Sequence, residues 1–306
     1  MKAGLGWVEP VAGGDSSRGY DGPVREILRW RCGDITLDCG ERTLVMGILN
    51  VTPDSFSDGG EFFGVRAAVD RGIEMVDEGA DIVDVGGEST RPGSDPVEVE
   101  EELRRVVPVV ERLAADVPVP ISIDTRKPEV AAAAVGAGAS IVNDISGGRD
   151  PGMFEIVQRS GAGLILMHMQ GEPKTMQQAP HYDDVVSEVR NDLRERVEVA
   201  ELAGIEAERL AIDPGIGFGK ELEHNLAILN HVDELIALGR PVVVGTSRKR
   251  FIGSLLGGLP PEDRLEGTAG SVAWLAARGA HVVRVHDVRE IVRVVRVVDA
   301  IAGAGP

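Results

Sequence analysis

Seven polar side chains, Asn50, Asp124, Asn143, Asp213, Lys249, Arg284 and His286, fall in the later half of short apolar runs or just beyond them. Their types divide into acceptors and donors. One carboxylate at such a place usually caps a helix or pairs with an arginine. Asp124, Asn143 and Asp213 together do more: two acceptor-only carboxylates and an amide that both gives and accepts match a 2-amino-4-oxopyrimidine edge. Ser247, Arg248, Lys249 and Arg250, with Arg284 and His286, would face those acceptors across the same mouth. In a chain of net charge −18, such a local cationic pocket is what an anionic substrate needs. His286 by itself reads more often as a hydrogen-bonded structural histidine than as a catalyst. His168, His181, His224, His231 and His281 show no metal-ligand spacing.

Two glycine-rich strings belong to the same pattern. The segment from Asn50 to Gly60 is long for a barrel loop and carries an aromatic residue, Phe56, among aspartates and serines. Asn50 offers a neutral oxygen to a hard cation, and a Mg²⁺ held by pyrophosphate takes only one or two protein ligands. The segment from Gly86 to Gly93 combines glycine amides, the Thr90 hydroxyl and the Arg91 fork, a set suited to phosphate; the same string also reads as an ordinary turn closed by Pro92 and Gly93. Glu88 reads either as a brace for that loop or as a ligand contact.

Residues so far apart in sequence need a frame that gathers them. Eight apolar runs supply one: Leu44 to Leu49, Ile82 to Val85, Val119 to Ile123, Ile141 to Ile145, Gly163 to Met167, Leu210 to Ile212, Pro241 to Val244 and Val282 to Val285. Helical periodicity lies between them, which predicts a parallel sheet covered by helices, closed as a (β/α)₈ TIM barrel with its site at the carboxyl ends of the strands. Helices are expected at Leu222 to Leu238, at Phe251 to Leu256 and Glu262 to Arg278, and at the carboxyl terminus, where Val288, Ile291, Val292, Val295 and Val298 share one face. Residues 1–43 read as a tail and a short hairpin able to plug the amino-terminal mouth, and 44–306 as one barrel domain. Of five lysines against twenty-seven arginines, Lys127, Lys174, Lys220 and Lys249 all follow strands, as though compact ammonium donors were kept on one rim. The acidic balance argues against nucleic acid and anionic membrane surfaces, and no apolar stretch approaches a bilayer span. Cys32 and Cys39 are expected to be free thiols in a cytoplasmic protein.

The stretches Met46 to Gly60, Gly86 to Gly93, Asp213 to Lys220 and Ser247 to Lys249, in that order, closely resemble dihydropteroate synthase of folate biosynthesis, and the likeness runs from about Leu44 to Ile301. The resemblance implies an enzyme that joins 6-hydroxymethyl-7,8-dihydropterin pyrophosphate to p-aminobenzoate with release of pyrophosphate and with Mg²⁺ as cofactor. It implies Asn50 on Mg²⁺, and Thr90 and Arg91 in a mobile loop near the pyrophosphate and p-aminobenzoate. Asp124, Asn143, Asp213 and Lys249 would bind the pterin, with Arg284 beside the ring, His286 on the pyrophosphate, and Phe218 and Phe56 flanking the p-aminobenzoate ring. Lys249, Arg284, His286, Asp124 and Asp213 form the expected catalytic set, and a homodimer through the carboxyl-terminal helices is the expected assembly. Two rivals are a silent pterin-binding paralogue and a methyltransferase that passes a methyl group from a folate to a corrinoid; the latter has no use for a pyrophosphate clamp.

Overall fold

The computed structural model describes residues 26–51, 61–89 and 94–304, the side chains of 61–63 excepted. The tail expected over residues 1–25 lies outside that description. The chain enters through a hairpin, β1 (Leu28–Cys32) paired antiparallel with β2 (Ile35–Cys39). Eight parallel strands follow: β3 (Leu44–Asn50), β4 (Ile82–Gly86), β5 (Ile121–Asp124), β6 (Ile141–Asp144), β7 (Gly163–Met167), β8 (Leu210–Asp213), β9 (Val243–Val244) and β10 (Val282–Val285). They run in ladder order from β8 back to β3, then β10 and β9, and a parallel bridge between Ile212 and Val242 closes the ring.

Period-two alternation divides each strand between two cores. Val45, Val83, Ile123, Val142, Leu164, Ile212, Val244 and Val283 face outward into the helices. Leu44, Met46, Ile82, Ile141, Ile165, Ala211, Val243 and Val282 point inward and pack against Trp30, Cys32 and Cys39 of the hairpin, which therefore stoppers the amino pole. Trp30 is fully buried, with its indole N–H donated to the carbonyl of Arg209 at 3.1 Å. Both cysteines are buried free thiols, and burial pushes Cys39 up to about 12. Farther along the same inward faces the residues change character. Asp84, Ser122, Asn143 and Arg284 form a polar storey, with Asp124, Asp213 and His286 beyond it at the carboxyl pole.

Strand and helix ends follow local chemistry. Proline cannot donate to a ladder, so the runs expected from Val119 and Pro241 begin as strands only at Ile121 and Val243, after the single bridge at Val242, while the carbonyls of Pro120 and Pro241 still accept from Val83 and Ile212. The Asp144 carboxylate takes the amides of Ser146 and Gly148, which ends β6 before Ile145. The helices are α1 (Glu61–Asp77), α2 (Val99–Asp116), α3 (Pro128–Gly136), α4 (Pro151–Ser160), α5 (Val185–Leu202), α6 (Leu222–Asn230), α7 (Val232–Ile236), α8 (Arg250–Leu255), α9 (Leu265–Ala277) and α10 (Val288–Ala302). In α4, Asp150 caps the start by accepting from Gly152, Pro151 fills the first turn and Gly161 closes the end at φ 71°. The single helix expected from Leu222 to Leu238 is two, α6 and α7, because His231 leaves helical geometry at φ −115° and ψ 35°. On α10, Val288, Ile291, Val292 and Val295 are buried while Arg289, Arg293 and Arg296 face solvent. No helix among the described residues is long and apolar enough to cross a membrane.

Candidate active site

The polar storey is organised by Arg284 on β10. Its Nε donates to Asp84 Oδ2 and its Nη2 to Asp124 Oδ2, both at 2.6 Å, so one guanidinium joins β4 and β5 across β3. Asn143 donates its amide N–H to the same Asp84 oxygen at 3.2 Å, which assigns the amide nitrogen to that side and turns its oxygen away. Asp84 Oδ1, Asp124 Oδ1 and Ser122 Oγ are buried without a hydrogen-bond partner among the described residues. Burial holds the Asp124 carboxyl above the ordinary range, with Arg284 opposing and Asp84 adding to the rise. The two carboxylates hold Arg284 above its ordinary value against the pull of burial.

Asp213 closes β8 and is likewise raised by burial, opposed by the amide of Gly215, which donates to Oδ1 at 2.7 Å. The loop that follows turns through Gly215, Gly217 and Gly219 at φ 64°, 83° and 59°. A side chain at Gly215 would run into the carbonyl of His168, and one at Gly219 into that of Gln170, so the path is open only to glycine. The loop presents Phe218 beside an apolar wall of Ile145, Met167, Met169 and Met176. Lys249 Nζ sits 4.1 Å above the centre of the Phe218 ring and donates to the carbonyl of Ile216 at 2.8 Å. Burial lowers Lys249 to about 8, with Asp213 opposing.

Lys249 is placed by a strained neighbour. Arg248 has φ 57°, a left-handed conformation costly for a side chain of its size, and is held there by its ion pair with Asp287 and by Thr268 and Arg264 on its amide and carbonyl. Ser247 Oγ accepts from the His286 amide at 3.2 Å and lies 3.0 Å from His286 Nδ1. The hydroxyl can give its proton to Nδ1 or accept one from it, so the contact fixes the ring's orientation in either tautomer and leaves Nε2 as the edge turned from Ser247. Asn50 is exposed at the end of β3, in register with Gly86.

The structure thus brings Asp124, Asn143, Asp213, Phe218, Lys249, Arg284, His286 and Asn50 to one pole, and changes how some of them are understood. Basic groups do not simply face acidic ones: Arg284 is paired with Asp124 rather than set opposite it. Asp84 was missed, although a carboxylate inside the run Ile82 to Val85, in a strand buried on both faces, is itself a signal. The shared rim of lysines exists, but Lys127 is spent on Glu88 and Glu102, Lys174 on Asp95, and Lys220 on carbonyls, so these are not anion donors. Glu88 is a brace, taking the amide of Val97 at the far end of its loop. Phe56, Thr90 and Arg91 lie outside the described residues.

The family model for pterin binding enzymes matches residues 46–286. The dihydropteroate synthase of Escherichia coli strain K12 is 51% identical over 260 residues, 85% of this chain and 92% of that protein. A Xanthomonas albilineans dihydropteroate synthase solved with 4-aminobenzoic acid superposes with a TM-score of 0.85 at 49% identity, covering 92% of this chain and 100% of that one. A further structure of dihydropteroate synthase from Xanthomonas albilineans, in complex with 7,8-dihydropteroate, gives 0.81 at 47% identity over 90% and 100% of the two chains.

Proposed function

Since the chain belongs to the pterin binding enzyme family, and within it to the dihydropteroate synthases, we propose a role for each residue gathered at the carboxyl pole. The reaction joins 6-hydroxymethyl-7,8-dihydropterin pyrophosphate to p-aminobenzoate, giving 7,8-dihydropteroate and pyrophosphate. The observation that carries the assignment is the set of buried acceptors: Asp84 Oδ1 and Asp124 Oδ1 have no hydrogen-bond partner among the described residues of a closed barrel, beside an oriented Asn143 and Asp213. Buried acceptors left open suit the N–H donors of a pterin edge.

In this reading Asp124, Asn143 and Asp213 grip the pterin, and Lys249 donates to it from above Phe218. Arg284 covers the ring and keeps Asp124 and Asp84 aligned; two of its N–H groups are engaged there, so its charge is largely shared before substrate arrives. His286 directs its Nε2–H to the pyrophosphate. Thr90 and Arg91 contact the pyrophosphate and p-aminobenzoate, and Phe56 with Phe218 flanks the p-aminobenzoate ring. The C–O bond from the pterin methylene to pyrophosphate breaks first, and the electron-rich dihydropterin carries the resulting positive charge. The arylamine, neutral at pH 7, then forms the C–N bond and loses its proton, so no strong general base is needed. Catalysis is positioning and stabilisation of the leaving group's charge.

Mg²⁺ is the proposed cofactor. Among the described residues no group of three or more His, Cys, Asp or Glu could cage a metal, whereas Asn50, an exposed residue at the end of β3, carries the neutral oxygen type that suits a cation arriving with phosphates. When bound it would offset pyrophosphate charge. A homodimer is proposed as well, supported by exposed Trp274 on α9 and Val297 and Ile301 on α10, and sedimentation at micromolar concentration tests it. A reducing cytoplasmic setting is supported by the free thiols Cys32 and Cys39. The reaction is tested by pyrophosphate release measured with Mg²⁺ and the pterin substrate, with and without p-aminobenzoate. Amine-dependent release is expected; tight pterin binding without release would mark a silent paralogue instead.

A further inference from the structure

Lys220 ends the glycine loop with its side chain folded back beneath it, almost wholly buried. Its partners are carbonyls and an imidazole rather than a carboxylate: Gly215 O and Phe218 O at 3.0 Å, His168 Nδ1 at 2.9 Å and, more distantly, His168 O at 3.4 Å. Burial lowers Lys220 to about 7, with Asp213 opposing, and a buried ammonium needs its three N–H groups met; here three close acceptors meet them and favour the charged form. Burial and the nearby ammonium push His168 down to about 3, so the imidazole is a neutral acceptor. Lys220 is also the centre of a wider pattern. Every carbonyl from Gly215 to Gly219 accepts a side-chain hydrogen bond: Gly215 and Phe218 from Lys220, Ile216 from Lys249, Gly217 from Gln177 and Gly219 from the Tyr182 hydroxyl. The loop's own chemistry emerges at two places, Phe218 and, through the Gly215 amide, Asp213.

We propose that Lys220 is a positioning residue for the condensation, drawing the Gly215 and Phe218 carbonyls onto one ammonium and so fixing where Phe218 and Asp213 meet the two substrates. The inference rests on the functional reading above. Its test compares wild type with Lys220→Met, nearly equal in length, in the amine-dependent pyrophosphate assay, with both substrates varied. The KM values for p-aminobenzoate and for the pterin substrate should both rise, for a loss in kcat/KM on the order of tenfold to a hundredfold, the scale of a displacement of about 1 Å at a reacting centre. A purely structural role would lower kcat by the unfolded fraction and leave both KM values unmoved, and that result overturns the proposal.

Where Lys220→Met does not fold, His168→Leu is read the same way. It removes one acceptor and keeps the lysine, so its KM values should rise, and His168→Gln, which restores an acceptor oxygen, should bring them back. Unmoved KM values in a folded His168→Leu enzyme overturn the proposal. A wild-type chain releasing no pyrophosphate would instead sink the reaction itself, and this inference with it.

Discussion

Arg284 and His286, proposed to lie over the pterin ring and on the pyrophosphate, differ in how they are held, and mutation should separate them. Arg284 donates to two buried carboxylates, so Arg284→Ala strands Asp84 and Asp124 facing each other. Breaking such a buried pair typically costs about 3–5 kcal/mol, so unfolding by urea should show a marked loss of stability as well as of activity. His286 is half-buried, and Ser247 meets both its ring and its backbone amide. His286→Ala should cut turnover on the order of a hundredfold to a thousandfold, the scale of one lost oxyanion donor, and cost about 0.5–1.5 kcal/mol of stability, the scale of a hydrogen bond and well below the Arg284 effect. Lys249 carries a pH signature. Burial brings it from 10.5 to about 8, so if its ammonium is what the pterin meets, kcat/KM falls above about pH 8 with the slope of one proton. The stability effect has the opposite sign. Between about 8 and 10.5 the unfolded chain holds this proton and the native one does not, so stability rises with pH there and is lost again as pH falls through about 8. Parallel pH series of rate and of urea midpoint check both limbs, and Lys249→Arg should move the rate limb beyond reach. A rate that stays flat to pH 10 would remove Lys249 from substrate contact.

At the scale of elements, the hairpin β1–β2 offers the cleanest separation of stability from chemistry, because it sits at the pole opposite the site. Trp30→Ala should cost about 3–5 kcal/mol as a cavity opens among Leu44, Ile82 and Ile165, while the folded fraction keeps wild-type KM values. A changed KM would mean that the stopper reaches the site through the barrel interior. Elements were also what the sequence made most legible. Eight apolar runs ending in polar residues led to eight parallel strands, since a strand buried on both faces must be apolar almost throughout and can turn polar only where the barrel opens. Boundaries moved where proline removed a ladder donor, at Pro120 and Pro241. The break at His231 was hidden because Leu222, Leu226, Leu229, Val232 and Leu235 continue the helical spacing straight through it. Asp84 was hidden by the opposite habit, reading a run by its ends. Its pairing with Arg284, two strands away, depends on register that no local pattern expresses.

The molecule as a whole carries net charge −18 and must nevertheless capture a substrate that bears a pyrophosphate. The groups that could attract it at a distance are mostly neutralised locally. Arg248 is paired with Asp287, Arg284 with Asp84 and Asp124, and Lys127 with Glu88 and Glu102. On the proposed roles, short-range donors such as His286 and Lys249 act only once the substrate has entered, and the far field opposes entry. Screening shortens that field to about 10 Å at 0.1 M salt and leaves contacts inside the barrel little changed. Raising ionic strength from about 0.01 M to 0.15 M with a monovalent salt, at fixed free Mg²⁺, should therefore raise kcat/KM for the pterin pyrophosphate, and raise kcat little, the reverse of a cationically steered enzyme. A steep fall of kcat/KM over that range would mean that cationic residues at the mouth outweigh the whole-chain charge. The loops at 52–60 and 90–93, where Arg91 lies, would then be the first place to look, because the pairings seen elsewhere on the rim leave little unshared positive charge.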